Sequence, residues 1–416
     1  MNKRMELIRV LTLKDVVAVG LGAIIGAGIF VVTGVAAGVS GPAFILALLI
    51  AGLVAAFNAL SSAQLAAVYP QSGGTYEYGY QLLNSWFGFF AGWMFLISKL
   101  SAAGIVAMGF GSYFSQLFPQ ISATVFSFST VVLLTVANLM GIKKAGLLNI
   151  LIVSVTLFAL LFLIFSGISN INTENYTPFA PYGLKGIAEA TAILFFAFTG
   201  YARIATLAEE VKDPEKTIPR AIILTIVSAI LLYLCVALVA LGVLGYEQLA
   251  STKSPLQLVA EKLNTPGLNI IITLGASTAM LGVLLSQILG ISRMLYAMGR
   301  KGDLPPLFSR IHQRTNVPHI GILFTGIVIL LLVILGSFEF VVRAATFTIL
   351  LYYGITNLAA IKQPTSQQLY GKIIPVLGLM GCVVMAFSLP SIVIISGVIL
   401  LTFGFFAKLV FNKLIR

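Results

Sequence analysis

Few residues in this chain carry groups suited to chemistry, and the most informative are glycines. Gly20, Gly22, Gly26 and Gly28 fall within nine residues of one apolar stretch. Glycine costs about 1 kcal/mol relative to alanine inside a helix, so continuous helix is fragile there. A second apolar stretch, Phe195-Phe196-Ala197-Phe198-Thr199-Gly200-Tyr201, is interrupted in the same way. Breaking a helix in an apolar medium frees backbone N–H and C=O groups that need partners. The amide end of the half-helix after Gly26 would attract a carboxylate, and carbonyl ends would attract an ammonium. Close helix packing through the Gly22/Gly26 small-xxx-small pair is the competing reading. The second interruption favours a binding site, because paired interrupted helices in corresponding halves point to the substrate site of a transporter. The spacing does not suit a dinucleotide loop, and no strand precedes it.

Other reactive side chains are sparse. Lys99 lies in the middle of an apolar run, where a charge is expensive and marks function by default. His312 and His319 share one polar stretch with no third ligand nearby, so no metal site is expected. Cys235 and Cys382 each sit in an apolar run and read as small buried hydrophobes, without a disulfide framework. No apolar run gathers His, Asp and Glu as a membrane-embedded enzyme would require.

The elements that must hold these residues follow from composition. The chain has 416 residues, 59% hydrophobic and 9% charged, against about 25% charged in soluble chains. With about 20 apolar residues per span, twelve all-α spans are expected, near 16–38, 42–68, 84–114, 122–141, 146–168, 187–207, 219–244, 267–298, 319–337, 341–361, 373–389 and 391–410. Of 25 Lys and Arg, 20 fall on the face of the N-terminus. That asymmetry predicts both termini in the cytoplasm, in a cytoplasmic membrane. It also accounts for the net charge of +12 without nucleic acid, since the basic residues form no continuous face. The start is basic, and the apolar run after it is too long for a cleavable signal core. No obligate protein partner is evident.

Taken together, Gly22-Ala23-Ile24-Ile25-Gly26-Ala27-Gly28-Ile29-Phe30, Phe196-Ala197-Phe198-Thr199-Gly200-Tyr201, Glu209-Glu210-Val211-Lys212-Asp213-Pro214 with Ile218-Pro219-Arg220, Ser292-Arg293-Met294-Leu295-Tyr296-Ala297-Met298-Gly299-Arg300 with Gly302-Asp303-Leu304-Pro305, and Pro70, Gly73, Gly74 and Tyr76 resemble the amino acid–polyamine–organocation superfamily. Within it, the chain looks most like the cationic amino-acid transporter-like bacterial permeases. The resemblance implies one polytopic membrane domain with a LeuT-type five-plus-five inverted repeat (15–168 and 186–361), broken helices 1 and 6, and a two-helix tail (373–410). It implies an amino-acid substrate moved by alternating access. By position, the amides of Ala27, Gly28 and Ile29, beside the hinge at Gly26, would hold the carboxylate. The carbonyls of Ile24, Phe196 and Thr199, beside Gly200, would hold the ammonium, with Phe196 as aromatic gate.

The chain departs from the family in its coupling devices. Proton-coupled relatives carry a lysine midway along span five, where this chain has Thr156. Sodium-coupled relatives carry paired hydroxyls on span eight, and Ala279 to Leu285 has none. No cofactor is expected; proton coupling is retained as an expectation and sodium is less favoured. Lys99 is read either as a fixed charge or proton carrier replacing the missing lysine, or as a residue that snorkels or braces a helix. A positive charge near the pocket disfavours cationic substrates, and Glu189 is the nearest carboxylate, so neutral amino acids are expected. Arg203 reads mainly as an ion-pair partner of Glu209 or Glu210, with a gate contact as the alternative. Tyr352 and Tyr353 are candidates to close the outer path, or simply packing. An exchanger, a polyamine or cationic amino-acid carrier of the same fold, and an ion channel are the rival readings.

Overall fold

A computed structural model describes residues 11–69, 73–140, 146–205 and 211–415. Among them the chain is helical throughout; the one β-bridge joins Leu11 to Val211. The helices are α1 (Leu13–Ile24), α2 (Thr33–Ser40), α3 (Phe44–Val68), α4 (Thr75–Leu82), α5 (Ser85–Phe114), α6 (Ala123–Leu139), α7 (Gly146–Gly167), α8 (Gly183–Phe195), α9 (Ala202–Ala205), α10 (Pro214–Leu244), α11 (Tyr246–Ala250), α12 (Pro255–Leu263), α13 (Leu268–Lys301), α14 (His319–Leu335), α15 (Phe338–Lys362), α16 (Ile373–Phe387) and α17 (Ser391–Ile415). Eight apolar helical stretches among the described residues are long enough to cross a membrane, and α6, α14 and α16 are shorter apolar helices.

Helix ends follow local chemistry. Asn84 caps α5, its side-chain oxygen accepting from the N–H of Trp86 and Phe87 at 3.0 and 3.1 Å. Gly302, at φ +83°, closes α13 in the left-handed conformation that glycine tolerates. Asp15 accepts from the N–H of Thr12 at 2.9 Å in a capping arrangement at the start of α1. The span expected from 219 starts earlier: Pro219 lies inside α10, which has Pro214 at its first position. The helix therefore starts a turn and a half earlier, at the other proline of the motif, where a missing N–H removes no bond.

The lipid-type pattern is visible in burial. Leu133, Leu161, Phe165, Ile327 and Phe387 point outward, while Phe30, Phe44, Phe195, Phe198 and Tyr353 are buried. This inversion suits a bundle whose exterior solvent is hydrocarbon. Cys235, expected to be buried, is exposed on α10, and Cys382 is buried; neither is in a disulfide. An apolar run turned toward lipid exposes its small hydrophobes along with its large ones. The rings of His312 and His319 meet edge to face, 5.5 Å between centroids.

Candidate functional site

The two interrupted helices break differently. In the first, helical hydrogen bonding stops at the Ile25 N–H to Leu21 oxygen bond (2.8 Å) and resumes at Phe30 N–H to Gly26 oxygen (3.4 Å). Ile25 is extended, at φ −77° and ψ 104°. The amides of Gly26, Ala27, Gly28 and Ile29 lie between those two bonds, and a π-helical turn, Gly28–Val32, leads into α2. The second interruption is not an unwound segment: Phe196–Tyr201 tightens into a 3-10 helix between α8 and α9.

The glycines explain why. A Cβ on Gly200 would lie 2.1 Å from the Ala23 oxygen and 2.6 Å from the Ile24 nitrogen. A Cβ on Gly28 would lie 2.6 Å from both Cα and Cβ of Ala197. The two interruptions thus cross backbone against backbone, and Gly28 and Gly200 permit the crossing. Gly26 faces Val283 of α13 instead, its notional Cβ 3.0 Å from Val283 Cγ2. Close packing therefore accounts for Gly28 and Gly200, against backbone, and for Gly26, against a side chain.

A small cavity of about 40 Å³ sits at this crossing. Its wall includes Ile24, Gly26, Ala27 and Gly28 from the first break and Phe196, Thr199 and Gly200 from the second. Lys99 and Val106 of α5, Val283 and Gln287 of α13, and Ala23 and Ala197 beside the breaks complete it. Of the eight residues expected to bind substrate, seven line this one space; Ile29 is buried but does not line it. Phe196 is 8% exposed, at the position implied for an aromatic gate.

Three tyrosines, which nothing in the sequence singled out for this role, partner the carbonyls at the breaks. Tyr233 of α10 donates to the Ile24 oxygen at 2.8 Å. Tyr353 of α15 donates to the Thr199 oxygen at 3.1 Å, and Tyr113 of α5 donates to the Phe30 oxygen. The Phe196 oxygen accepts from the Thr199 hydroxyl at 3.0 Å. A carbonyl oxygen has two lone pairs, so each keeps capacity for a second donor. The hydroxyls stabilise broken backbone that hydrocarbon would leave unsatisfied.

The coupling and gating candidates separate. Lys99 lines the cavity and is partly buried. Thr156 does not line it; its hydroxyl donates to Ile152 oxygen (2.8 Å) and Gly275 oxygen (3.3 Å), tying α7 to α13. The Arg203 side chain, with Glu209 and Glu210, lies outside the described residues, as do Pro70 and the expected ion pair. Tyr352 is buried, in keeping with the packing alternative. Its hydroxyl accepts from Thr75 N–H at 3.4 Å, placing it against α4. One turn further along α15, Thr356 bonds the Thr75 hydroxyl at 2.7 Å, so the helix face is fixed toward α4. Glu189 is engaged by Arg343 at 3.1 Å, and Arg343 also reaches Glu339 at 3.3 Å.

A second polar cluster joins two of the resemblance-bearing segments. Asp303, 4% exposed, accepts from the hydroxyl of Tyr76 at 2.7 Å and from that of Tyr80 at 2.6 Å. Lys408 of α17 lies 3.7 Å from Asp303 and donates to the Ser85 oxygen. Burial, reinforced by the Asp303 carboxylate, pushes both tyrosine hydroxyls above their ordinary range, so they remain donors. Lys301 pairs with Glu77 at 2.9 Å beside them.

Comparison with known proteins agrees with this architecture. Residues 15–413 match the amino acid permease family. The chain is 39% identical to an uncharacterized transporter of Mycobacterium tuberculosis, over 96% of this chain and 90% of the relative. It is 28% identical to the branched-chain amino acid permease BcaP of Bacillus subtilis, over 96% and 92%. It is 29% identical to the methylthioribose transporter of the same species, over 99% and 95%. It is 30% identical to the mitochondrial cationic amino acid transporter 3 of Arabidopsis thaliana, over 77% of this chain and 57% of the relative. The chain belongs to the amino acid permease family, a family of multi-pass membrane transporters rather than enzymes.

Proposed function

We propose that this amino acid permease is a secondary transporter that carries neutral amino acids through the cytoplasmic membrane by alternating access. The observation that carries the reading is the crossing of the two interrupted helices around one cavity. Amides of residues 26–29 stand outside the helical ladder on one side, and carbonyls of Ile24, Phe196 and Thr199 stand on the other. Such a pair of backbone ends complements the carboxylate and ammonium that all amino acids share. The neutral preference rests on charge: Lys99 lines the cavity, and no Asp or Glu is among its lining residues. Glu189, the nearest carboxylate by sequence, is already paired with Arg343. A lysine or arginine side chain would therefore enter without a counter-charge.

Twelve spans in two five-helix repeats plus a two-helix tail, with both termini cytoplasmic, form part of the same proposal. Lys99 is its candidate for proton coupling, since a lysine in a low-dielectric pocket can exchange its proton; sodium has less support because Ala279 to Leu285 carries no hydroxyl. Purified protein in liposomes tests the reading. Saturable amino-acid uptake, accelerated by the same amino acid preloaded inside, is the expected result; unsaturable ion current would mean a channel. Uptake of methylthioribose but not of any amino acid would favour the solute named for the Bacillus relative. If Lys99 carries the proton, Lys99→Gln abolishes the pH dependence of uptake. An unchanged pH profile would remove that role.

A further inference from the structure

A groove of about 420 Å³, against about 40 Å³ at the crossing, lies between α1, α7 and α10. Its wall is aliphatic except for Lys14 and Ser154, and includes Ala18 and Leu21 of α1, Leu157 of α7 and Leu224 of α10. Ser154 and Leu224 are exposed, and Leu151, Phe158, Ile223 and Val227 near them point outward. The groove therefore opens on the face turned to hydrocarbon. It shares no lining residue with the cavity at the crossing.

The two ends of the groove differ. Lys14 is the second residue of α1, just before the span expected from 16, and Leu21 lies about 10 Å further along the helix. The groove thus runs from the polar boundary into the apolar layer. Lys14 is exposed, and no Asp or Glu lines the groove. The neighbouring Asp15 is engaged by Thr12, whose N–H and hydroxyl donate to it at 2.9 and 2.6 Å. A second exposed lysine is anchored at the same helix end: the Lys212 N–H donates to the Leu11 oxygen at 3.0 Å.

Lipid tails already surround every apolar face of a membrane protein, so aliphatic walls alone select nothing. The charge at the mouth does. A zwitterionic head group brings a phosphate balanced by its own ammonium, whereas an anionic phospholipid brings one without compensation. Basic pockets between membrane helices recognise such head groups. A helix about 10 Å across would fill this volume with roughly one turn, so a slender acyl chain suits it better.

We propose that the groove binds one anionic phospholipid, with its phosphate at Lys14 and an acyl chain laid between α1, α7 and α10. With the N-terminus cytoplasmic, the lipid belongs to the inner leaflet. It lies against the helix that ends at Ile24, a lining residue of the crossing.

The test is native mass spectrometry of the full chain in detergent, titrated with phosphatidylglycerol or with phosphatidylcholine of the same chain length. Wild type should retain one phosphatidylglycerol about fivefold more tightly than phosphatidylcholine, the factor one lysine near a membrane surface supplies. Lys14→Gln should remove that preference, and Lys14→Arg should keep it. Lys372→Gln, which deletes a charge at the start of α16, should leave it intact. Ala18→Phe, which puts a ring into the groove, should weaken both lipids. Equal retention of the two lipids by wild type would overturn the site, as would an unchanged preference in Lys14→Gln. A loss in Lys372→Gln as large as in Lys14→Gln would overturn it too, because the attraction would then be spread over the surface. Undiminished binding in a folded Ala18→Phe would place the lipid elsewhere. The comparison of Lys14→Gln with Lys372→Gln decides even if Ala18→Phe does not fold. No readout requires transport, so failure here leaves the amino-acid reading of the crossing standing.

Discussion

Two polar clusters inside this bundle each hold a lysine among buried polar groups, and they differ in what surrounds it. At Asp303, carboxylate, ammonium and hydroxyls satisfy one another: Tyr76, Tyr80 and Lys408 converge on it, and Lys408 also reaches the Ser85 oxygen. At the helix crossing, Lys99 and Gln287 border a cavity, and Gln287 Oε1 has no partner. The first cluster is complete without a ligand, so it reads as a clasp. It holds α17 and α4 to the end of α13. At the second, Gln287 Oε1 is left without a hydrogen-bond partner in a residue that lines the cavity beside the two helix breaks. A buried charge alone thus does not identify a site; what distinguishes the two is the cavity and the broken backbone beside the second.

The contrast can be broken at several points. The largest effect is expected at Gly200→Ala, whose new methyl would overlap the backbone of Ala23 and Ile24. Neither partner is a flexible side chain, so the crossing must open, and transport should fall by more than about 100-fold, roughly what a 1 Å misplacement at a working site costs. Uptake by correctly inserted protein measures it.

Next comes Asp303→Ala, which leaves Lys408 buried without its carboxylate. Breaking a buried pair from one side costs about 3–5 kcal/mol. Thermal unfolding in detergent should show the loss, and adding Lys408→Met should recover part of it. Equal instability of the single and double variants would sink the clasp. Tyr233→Phe should cost less, about 1–3 kcal/mol for a buried carbonyl that loses its donor. It should leave substrate selectivity unchanged, because the Ile24 oxygen recognises the shared ammonium and not the side chain.

The smallest effect is expected at Gly290→Ala, in the same helix as Gln287. Nothing lies within 4 Å of its notional Cβ, and alanine is the better helix former by about 1 kcal/mol. Transport should be unchanged and stability equal or slightly higher. A loss there would mean that α13 needs flexibility at that point.

Much of the central site was legible in the sequence, because a helix break announces itself locally. Gly26 and Gly28 in an apolar run and Gly200 in another needed only propensity and span counting. Their division of labour was not legible: that Gly200 admits Ala23 and Gly28 admits Ala197 depends on how two distant helices cross. The tyrosine donors escaped for the same reason. Tyr233 on an apolar 31-residue helix carries the signature of ordinary packing until its hydroxyl is found on the Ile24 oxygen.

Gln287 was within reach. The reasoning that flagged Lys99 as a polar group in mid-span applies to a lone amide in Leu284-Leu285-Ser286-Gln287-Ile288. Asp303 and Tyr76 both sat in resemblance-bearing segments, but 227 positions separate them, and no local pattern pairs them. For Tyr352 the sequence left gate and packing open, because an aromatic's position along a span does not reveal which element packs against it; the structure adds its contact with Thr75.

The most direct test of the account is whether the crossing recognises the two groups common to amino acids. Counterflow in liposomes should be measured with a transported amino acid, its decarboxylated amine and its deaminated acid. If the broken backbone is the recognition element, the intact amino acid is exchanged, and each truncated analogue loses transport efficiency by about tenfold or more, one charge-assisted hydrogen bond's worth. Equal exchange of the amine or of the acid would contradict the account, because recognition would then not require both ends of the broken helices.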